Sequence, residues 1–220
     1  MTNKYLILAY LFYFCNETKY MKITKSTIWA FILLIVAGAL YRVWPNRPFT
    51  FAPQVAMAIF GGAVVKDKRL ALLLPLLSLL ISDALYEVLY SIGRSPIKGY
   101  YQGQWATYLI LTGVTLFATL MKRVNVKNII GFTLSGSVLF FIFSNFFVWL
   151  GHAGYQRPMT FNGLLQCYGD GLAFFRDYGI LPGFYGNGML GDLIFSFALF
   201  GSYYLINSYV IKPAPQSVQS

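Results

Sequence analysis

The chain has 220 residues, of which 57% are hydrophobic and only 11% charged, whereas an ordinary soluble domain carries roughly 25% charged residues. That composition excludes a water-soluble globular protein. The net charge of +10 does not make it a nucleic-acid binder, because the Lys and Arg residues are parcelled into short loops between apolar runs instead of forming one patch.

The first twenty-five residues form a tail. Tyr5 to Cys15 is apolar but only about a dozen residues long, too short to cross a bilayer core of about 30 Å, and no small-residue cleavage site follows it. It reads as interfacial or disordered. Met21, followed by Lys22-Ile23-Thr24-Lys25, is a plausible alternative start, which would leave residues 1–20 outside the functional unit.

Residues 26–211 hold six apolar runs: Ser26 to Tyr41, Pro48 to Val65, Leu70 to Ser82 with a continuation past two acids to Gly93, Gly99 to Met121, Asn128 to Gly151, and Leu193 to Ile211. Each supplies the roughly 17–25 residues of a helical span, the first by using Arg42 to Trp44 as a snorkelling end. In lipid only helices or closed barrels satisfy the backbone, and runs this long without period-2 alternation exclude a barrel. The expected fold is therefore all-α, an integral membrane bundle of six transmembrane helices, with residues 212–220 a disordered tail.

Loop charge orients this bundle. Lys22, Lys25, Lys66, Lys68, Arg69, Lys122, Arg123, Lys127 and Lys212 fall on one side if six spans alternate; Arg42, Arg47, Arg94, Lys98, Arg157 and Arg176 fall on the other. Short loops rich in Lys and Arg stay cytoplasmic, so both termini are expected inside. Five of the acids, Asp83, Glu87, Asp170, Asp177 and Asp192, then lie toward the outer side. Cys15 and Cys167 lie on opposite sides, which leaves them unpaired.

Polar residues inside spans are costly and mark sites or helix contacts. Asp83 lies about 20 Å beyond Leu70 and Glu87 about 6 Å further on, one helical turn apart on one face. Gln54 is near the outer start of the second span, Asn145 and Trp149 near the outer end of the fifth, and Asp192 opens the sixth. The inner halves of these helices are apolar apart from Thr112, Thr115 and Thr119. A cup open to the outside and sealed below follows, with Asp83 as its central polar contact, Gln54 and Asn145 as hydrogen-bonding groups, Trp149 as an apolar wall, and Arg47 or Arg42 as a loop cation presented by the stiff Trp44-Pro45-Asn46-Arg47-Pro48 segment. The competing reading is structural: the same acids pair with Arg42, Arg47 or Arg94 to tie helices together, Glu87 reaches headgroup water, and Trp44, Trp105 and Trp149 form an interfacial belt. His152 is the sole histidine, and no Cys, His and acid cluster has metal-ligand spacing, so no metal and no cofactor is expected.

Between the fifth and sixth spans, Phe161, Leu164, Leu165, Tyr168, Leu172 and Phe175 recur at helical spacing opposite Asn162, Gln166 and Asp170. This predicts a short amphipathic helix on the outer surface, either a lid or an anchor. Gly179 to Gly191 holds five glycines and one proline and is expected to be mobile. In the second span Ala52 and Ala56, and Ala58 and Gly62 with Gly61 beside it, permit close helix approach. Pro75 should kink the third span or begin its ordered part.

The segments Phe51-Ala52-Pro53, Phe60-Gly61-Gly62-Ala63, Leu74-Pro75-Leu76-Leu77 and Ser82-Asp83, with Gly163-Leu164-Leu165-Gln166-Cys167-Tyr168, Phe174-Phe175 and Leu190-Gly191-Asp192-Leu193, resemble an uncharacterised group of small bacterial membrane proteins described only as transport proteins. In size, span number and orientation the chain also resembles the S components of energy-coupling factor (ECF) transporters. That resemblance implies a vitamin-like or other small solute bound from outside in the cytoplasmic (inner) membrane of a bacterium. S components carry an alanine pair at spacing four in the first helix for docking to an energising module; here Leu34 follows Ala30 and Tyr41 follows Ala37, so a different membrane protein partner or none is implied. Gly188-Met189-Leu190-Gly191-Asp192 is similar to the glycine-aspartate motif of intramembrane aspartyl proteases but has an extra residue between its glycines, and Ser82 precedes Asp83 where that family has tyrosine. No phosphate loop, nucleophile elbow or zinc motif is present. The expectation is a non-enzymatic transport protein, with a non-transporting subunit or scaffold as the alternative and an intramembrane enzyme third. Its partners are the lipid bilayer and a small solute.

Overall fold

A computed structural model describes residues 25–45, 47–48, 50–177 and 187–210. The expectations for the N-terminal tail, for the mobility of residues 179–186 and for the C-terminal tail lie outside those residues. Seven helices follow one another: α1 Lys25–Arg42, α2 Gln54–Val64, α3 Lys68–Ser91, α4 Trp105–Ala118, α5 Val126–Leu150, α6 Phe161–Asp177 and α7 Asn187–Val210. No β-strand occurs among the described residues.

Local sequence sets the helix ends. Pro53 starts α2, because its ring fixes φ and its missing N–H costs nothing in a first turn. Asp67 caps α3 by accepting from the Arg69 backbone N–H at 2.9 Å, and Asn125 caps α5 by accepting from Asn128 N–H at 2.8 Å. The charged turn between α2 and α3 is thereby tight.

The second apolar run yields a shorter helix than expected. Only 11 residues of α2 are helical, about 16 Å of rise, since the chain before it turns, with the Phe51 N–H donating to the Pro48 carbonyl at 3.1 Å and Thr50 at φ 64°. Every residue of α2 is buried. It is the central post: α3, α4, α5 and α7 pack directly on it, and α1 packs on α3. Tyr41 meets Phe195 edge-on at 5.1 Å, which joins α1 to α7 and closes the ring around α2. Helices α3, α5 and residues Gly188–Ile206 of α7 are long and apolar enough to cross a membrane, while α1, α2 and α4 are apolar but shorter.

The small residues of α2 are contact points. A Cβ on Gly62 would stand 2.7 Å from the Ala118 Cβ and closer still to the Thr115 carbonyl, so α4 approaches at backbone distance. A Cβ on Gly61 would stand 2.8 Å from the Ala71 carbonyl oxygen. Pro75, four residues on, removes the N–H that this carbonyl would accept within α3; the helix nevertheless runs unbroken from Lys68 to Ser91. The glycine lets α2 cover the acceptor that proline leaves open.

One expectation is corrected here. Arg42 does not snorkel outward as the end of the first span. Its guanidinium turns inward to Asp83, and its own carbonyl, at the last turn of α1, accepts from Arg47 Nε at 2.6 Å and from the Tyr86 hydroxyl at 2.7 Å.

Candidate functional site

The residues picked from sequence divide into three groups. The first surrounds Asp83, whose backbone sits in the last third of α3 and whose side chain is 1% exposed. One carboxylate oxygen accepts from Arg42; the other accepts from Gln104 and, at 2.7 Å, from the Tyr108 hydroxyl. Arg42 also donates to Ser82 Oγ at 2.8 Å, and its guanidinium stands over the Tyr86 ring at 5.4 Å. A buried carboxylate needs a cation and several donors, and Asp83 finds both within the protein. Gln104 and Tyr108 were missed by the sequence reading, because nothing in spacing ties the start of α4 to α3. Glu87, one turn on, accepts from the backbone N–H groups of Gly99 and Tyr100 at 3.1 and 3.2 Å. It pins the α3–α4 loop, and Gly99 presses so close to α3 that a Cβ would overlap the Asp83 carbonyl.

The second group lines a cavity of about 350 Å³ walled by α1, α2, α3, α4, α5 and α7 and the α1–α2 loop. Arg42, Arg47, Gln54 and Asp192 all border it; Asp83 lies behind Arg42 and does not. Ser137, Phe140, Phe141, Leu111 and Met189 supply the other inner surfaces, and the half-exposed Tyr101 and Leu172 stand at its rim. That volume falls within the range of small-molecule sites, roughly 300–1,000 Å³.

Some residues that border this cavity carry under-satisfied polar groups. Gln54 is 5% exposed; its Nε2 donates weakly to Ser78 Oγ at 3.4 Å, and its Oε1 is buried with no partner among the described residues. Thr50 Oγ1 is likewise buried and unpartnered, on a residue with φ 64°, a left-handed conformation that a β-branched side chain rarely adopts. Asp192, 7% exposed, accepts from Ser137 Oγ at 2.6 Å and has no cation within ion-pair distance among the described residues. Ser137 in turn lies one turn from Thr133, which donates to Ser196 Oγ at 2.9 Å and ties α5 to α7. Arg47 donates to the carbonyls of Arg42 and Phe51 and, at 3.5 Å, to the Tyr86 hydroxyl; it meets no carboxylate among the described residues.

The third group stands apart. Asn145 donates to the Phe141 carbonyl at 2.8 Å, and its side chain packs where Gly171 of α6 has no Cβ. Trp149 Nε1 donates to the Pro158 carbonyl at 2.8 Å. Neither borders the cavity; both hold the α5–α6 connection. Asp83 and Asp192 have no hydrogen-bond partner in common, so the shared-proton dyad of an aspartyl protease is not formed by the contacts present. Among the described residues no three His, Cys, Asp or Glu side chains are placed to hold a metal.

The expected amphipathic helix exists as α6, and small residues form the face that packs. Gly163, Cys167 and Gly171, at spacing four, are the buried positions, while Phe161, Leu165 and Leu172 are exposed. Small residues let α6 lie close on α5, with Cys167 Sγ against the Asn145 carbonyl at 3.4 Å; Tyr168 meets the Phe141 ring at 6.0 Å, and Phe161 and Leu165 face away. The helix is clasped by Arg157, whose Nε and Nη2 reach the two Asp170 oxygens at 2.8 and 2.9 Å. That guanidinium holds the Asp170 carboxyl below its ordinary range, and burial pushes the Cys167 thiol up.

Fold and cavity together define an all-helical protein, among the described residues, of membrane-spanning character whose helices surround a largely apolar chamber bordered by a few polar side chains. A family model matches residues 22–216, and the chain belongs to that family, a family of unknown function (DUF6580). No curated protein and no solved structure matches it.

Proposed function

We propose that this protein is a transport protein of the bacterial cytoplasmic membrane, with six spans and both termini inside, that binds a small solute from the outer side in the chamber bordered by Arg42, Arg47, Gln54 and Asp192. The observation that carries the reading is a chamber of about 350 Å³ bordered by Arg47 and Asp192, neither of which meets an oppositely charged side chain among the described residues. Burying a charge without a partner is costly, and a bound solute is a natural counterpart. The orientation rests on loop charge: Lys66, Lys68 and Arg69 join the ends of α2 and α3 remote from Gln54, so a cytoplasmic basic turn puts the chamber toward the outside. Six helices around an outward cup are also the arrangement of ECF S components, a likeness of architecture alone. The proposal assigns no catalytic step.

The test is accumulation of labelled solute by cells or vesicles carrying the intact protein, compared with Ala52→Trp, which fills the chamber from its α2 side. Uptake of some small solute that Ala52→Trp abolishes, in protein that remains monodisperse, supports the reading; equal behaviour of the two proteins toward every solute tried removes it. Labelling of single cysteines at Ser95 and Lys66 with a membrane-impermeant maleimide tests orientation, Ser95 reacting in intact cells and Lys66 only after lysis.

A second reading, a non-transporting subunit or scaffold, is favoured by one observation. Asp83 has all its demands met by Arg42, Gln104 and Tyr108, as expected of a residue that locks helices.

A further inference from the structure

The charges that border the chamber do not cancel within the protein. Arg42 is neutralised by Asp83. Arg47 meets only carbonyl and hydroxyl oxygens, and Asp192 meets only the Ser137 hydroxyl. One cation and one buried carboxyl thus border the same chamber, each without a counter-ion among the described residues. They come from opposite parts of the sequence, the α1–α2 loop and the start of α7. Withdrawing a charge from water without a partner is expensive, and a ligand carrying one charge only would satisfy one of the two and be repelled by the other.

The hydrogen-bonding groups are sorted in the same way. The Asp192 carboxyl accepts from Ser137 alone among the described residues. On the other side Arg42 uses only Nη1 in its bonds to Ser82 and Asp83, so its remaining N–H groups have no acceptor among the described residues. Between the poles the surface is apolar and in part aromatic, from Val55, Leu111, Phe140, Phe141 and Met189. The chamber of about 350 Å³ lies at the small end of the roughly 300–1,000 Å³ of small-molecule sites, which suits a solute of amino-acid size.

Building on the transport reading, we infer that the solute is an amphipathic zwitterion of amino-acid type: an ammonium group held by Asp192, an anionic group facing Arg47 and Arg42, and an apolar or aromatic body against Phe140 and Phe141.

The experiment uses full-length protein in detergent or nanodiscs and four probes of one size: L-phenylalanine, phenethylamine, which lacks the anion, 3-phenylpropionate, which lacks the cation, and neutral phenylacetamide. L-Phenylalanine is expected to bind at least about tenfold more tightly than each of the others, a difference of about 1.4 kcal/mol. Asp192→Asn, which keeps a partner for Ser137, is expected to weaken L-phenylalanine and phenethylamine about tenfold while leaving 3-phenylpropionate unchanged. If Asp192→Asn does not fold, the four-probe ranking on the wild type decides alone. A singly charged or neutral probe that binds as tightly as L-phenylalanine, and is lost in Ala52→Trp, overturns the zwitterion and leaves the solute-binding chamber standing. Absence of saturation by all four up to about 10 mM, weaker than any affinity of about 3 kcal/mol, also overturns the zwitterion; the chamber is then judged by the uptake comparison with Ala52→Trp, which uses unrelated solutes.

Discussion

Arg42, the last residue of α1, and Asp83, deep in α3, form an ion pair across two helices that are forty-one positions apart in sequence. The pair is roofed by Tyr86 and completed by Ser82, Gln104 and Tyr108, so three helices converge on one carboxylate.

Breaking this pair should unfold more than it disables. Asp83→Ala leaves the Arg42 charge largely buried without its partner and is expected to cost about 3–5 kcal/mol, whereas the double change Arg42→Met with Asp83→Leu should recover most of that loss. Thermal aggregation of detergent-solubilised protein, followed by gel filtration, reads the difference. An Asp83→Asn protein as stable as the wild type but devoid of uptake would instead place Asp83 in contact with solute.

Gln54→Leu should act in the opposite sense. Its Oε1 is buried without a partner, so replacing the amide by an apolar group of similar size is expected to leave stability unchanged or raise it by about 1 kcal/mol, while solute retention falls. Melting temperature and uptake measured on the same preparation would show the two properties moving apart.

Gly62 and Gly113 make a matched pair of packing tests. A methyl group at Gly62 meets Thr115 and Ala118 of α4, whereas one at Gly113 meets nothing within 4 Å. Gly62→Ala is expected to destabilise by about 1–3 kcal/mol, and Gly113→Ala to stabilise by about 0.5–1 kcal/mol through the entropy that glycine loses in a helix. Equal melting temperatures for the two variants would contradict the close approach of α2 and α4.

The Arg157–Asp170 clasp carries a pH signature. The folded-state pKa of Asp170 is lowered by its hydrogen bonds to Arg157, so its contribution is complete above the unfolded carboxylate value of about 3.9 and is lost as pH falls through the lower folded value. Helix α6 should therefore stay seated throughout the neutral range and loosen only in strong acid. Asp170→Asn removes the charge at every pH, and it is expected to speed maleimide labelling of the buried Cys167 at pH 7 relative to wild type. Unchanged labelling would mean that the Gly163, Cys167 and Gly171 contacts alone hold α6.

Much of this architecture was legible because the hydrophobic effect writes helices into sequence as runs and periods. Each of the six apolar runs contains a helix, and the period in Phe161 to Phe175 locates α6. Helix length was less legible. Proline and glycine at Pro48, Pro53, Gly99 and Gly103 trim α2 and α4 at ends that composition alone counts as span. The packing face of α6 was not legible for a related reason: Gly163 and Gly171, which lie on the side that packs, carry little weight in a hydrophobicity pattern.

The sequence by itself determined that this chain is built of apolar helices, roughly where they lie, and which residues are too polar to lie inside them without a partner. It named Arg42, Arg47, Gln54, Asp83 and Asp192, because burial of such groups is costly wherever the helices go. Tertiary structure decided which partner each one has. Asp83 is consumed by Arg42, Gln104 and Tyr108, Asn145 and Trp149 by backbone carbonyls, while Gln54, Arg47 and Asp192 are left around a chamber with demands unmet. Pairing depends on distances between residues remote in the chain, and those distances exist only once α2 has drawn the other helices around it.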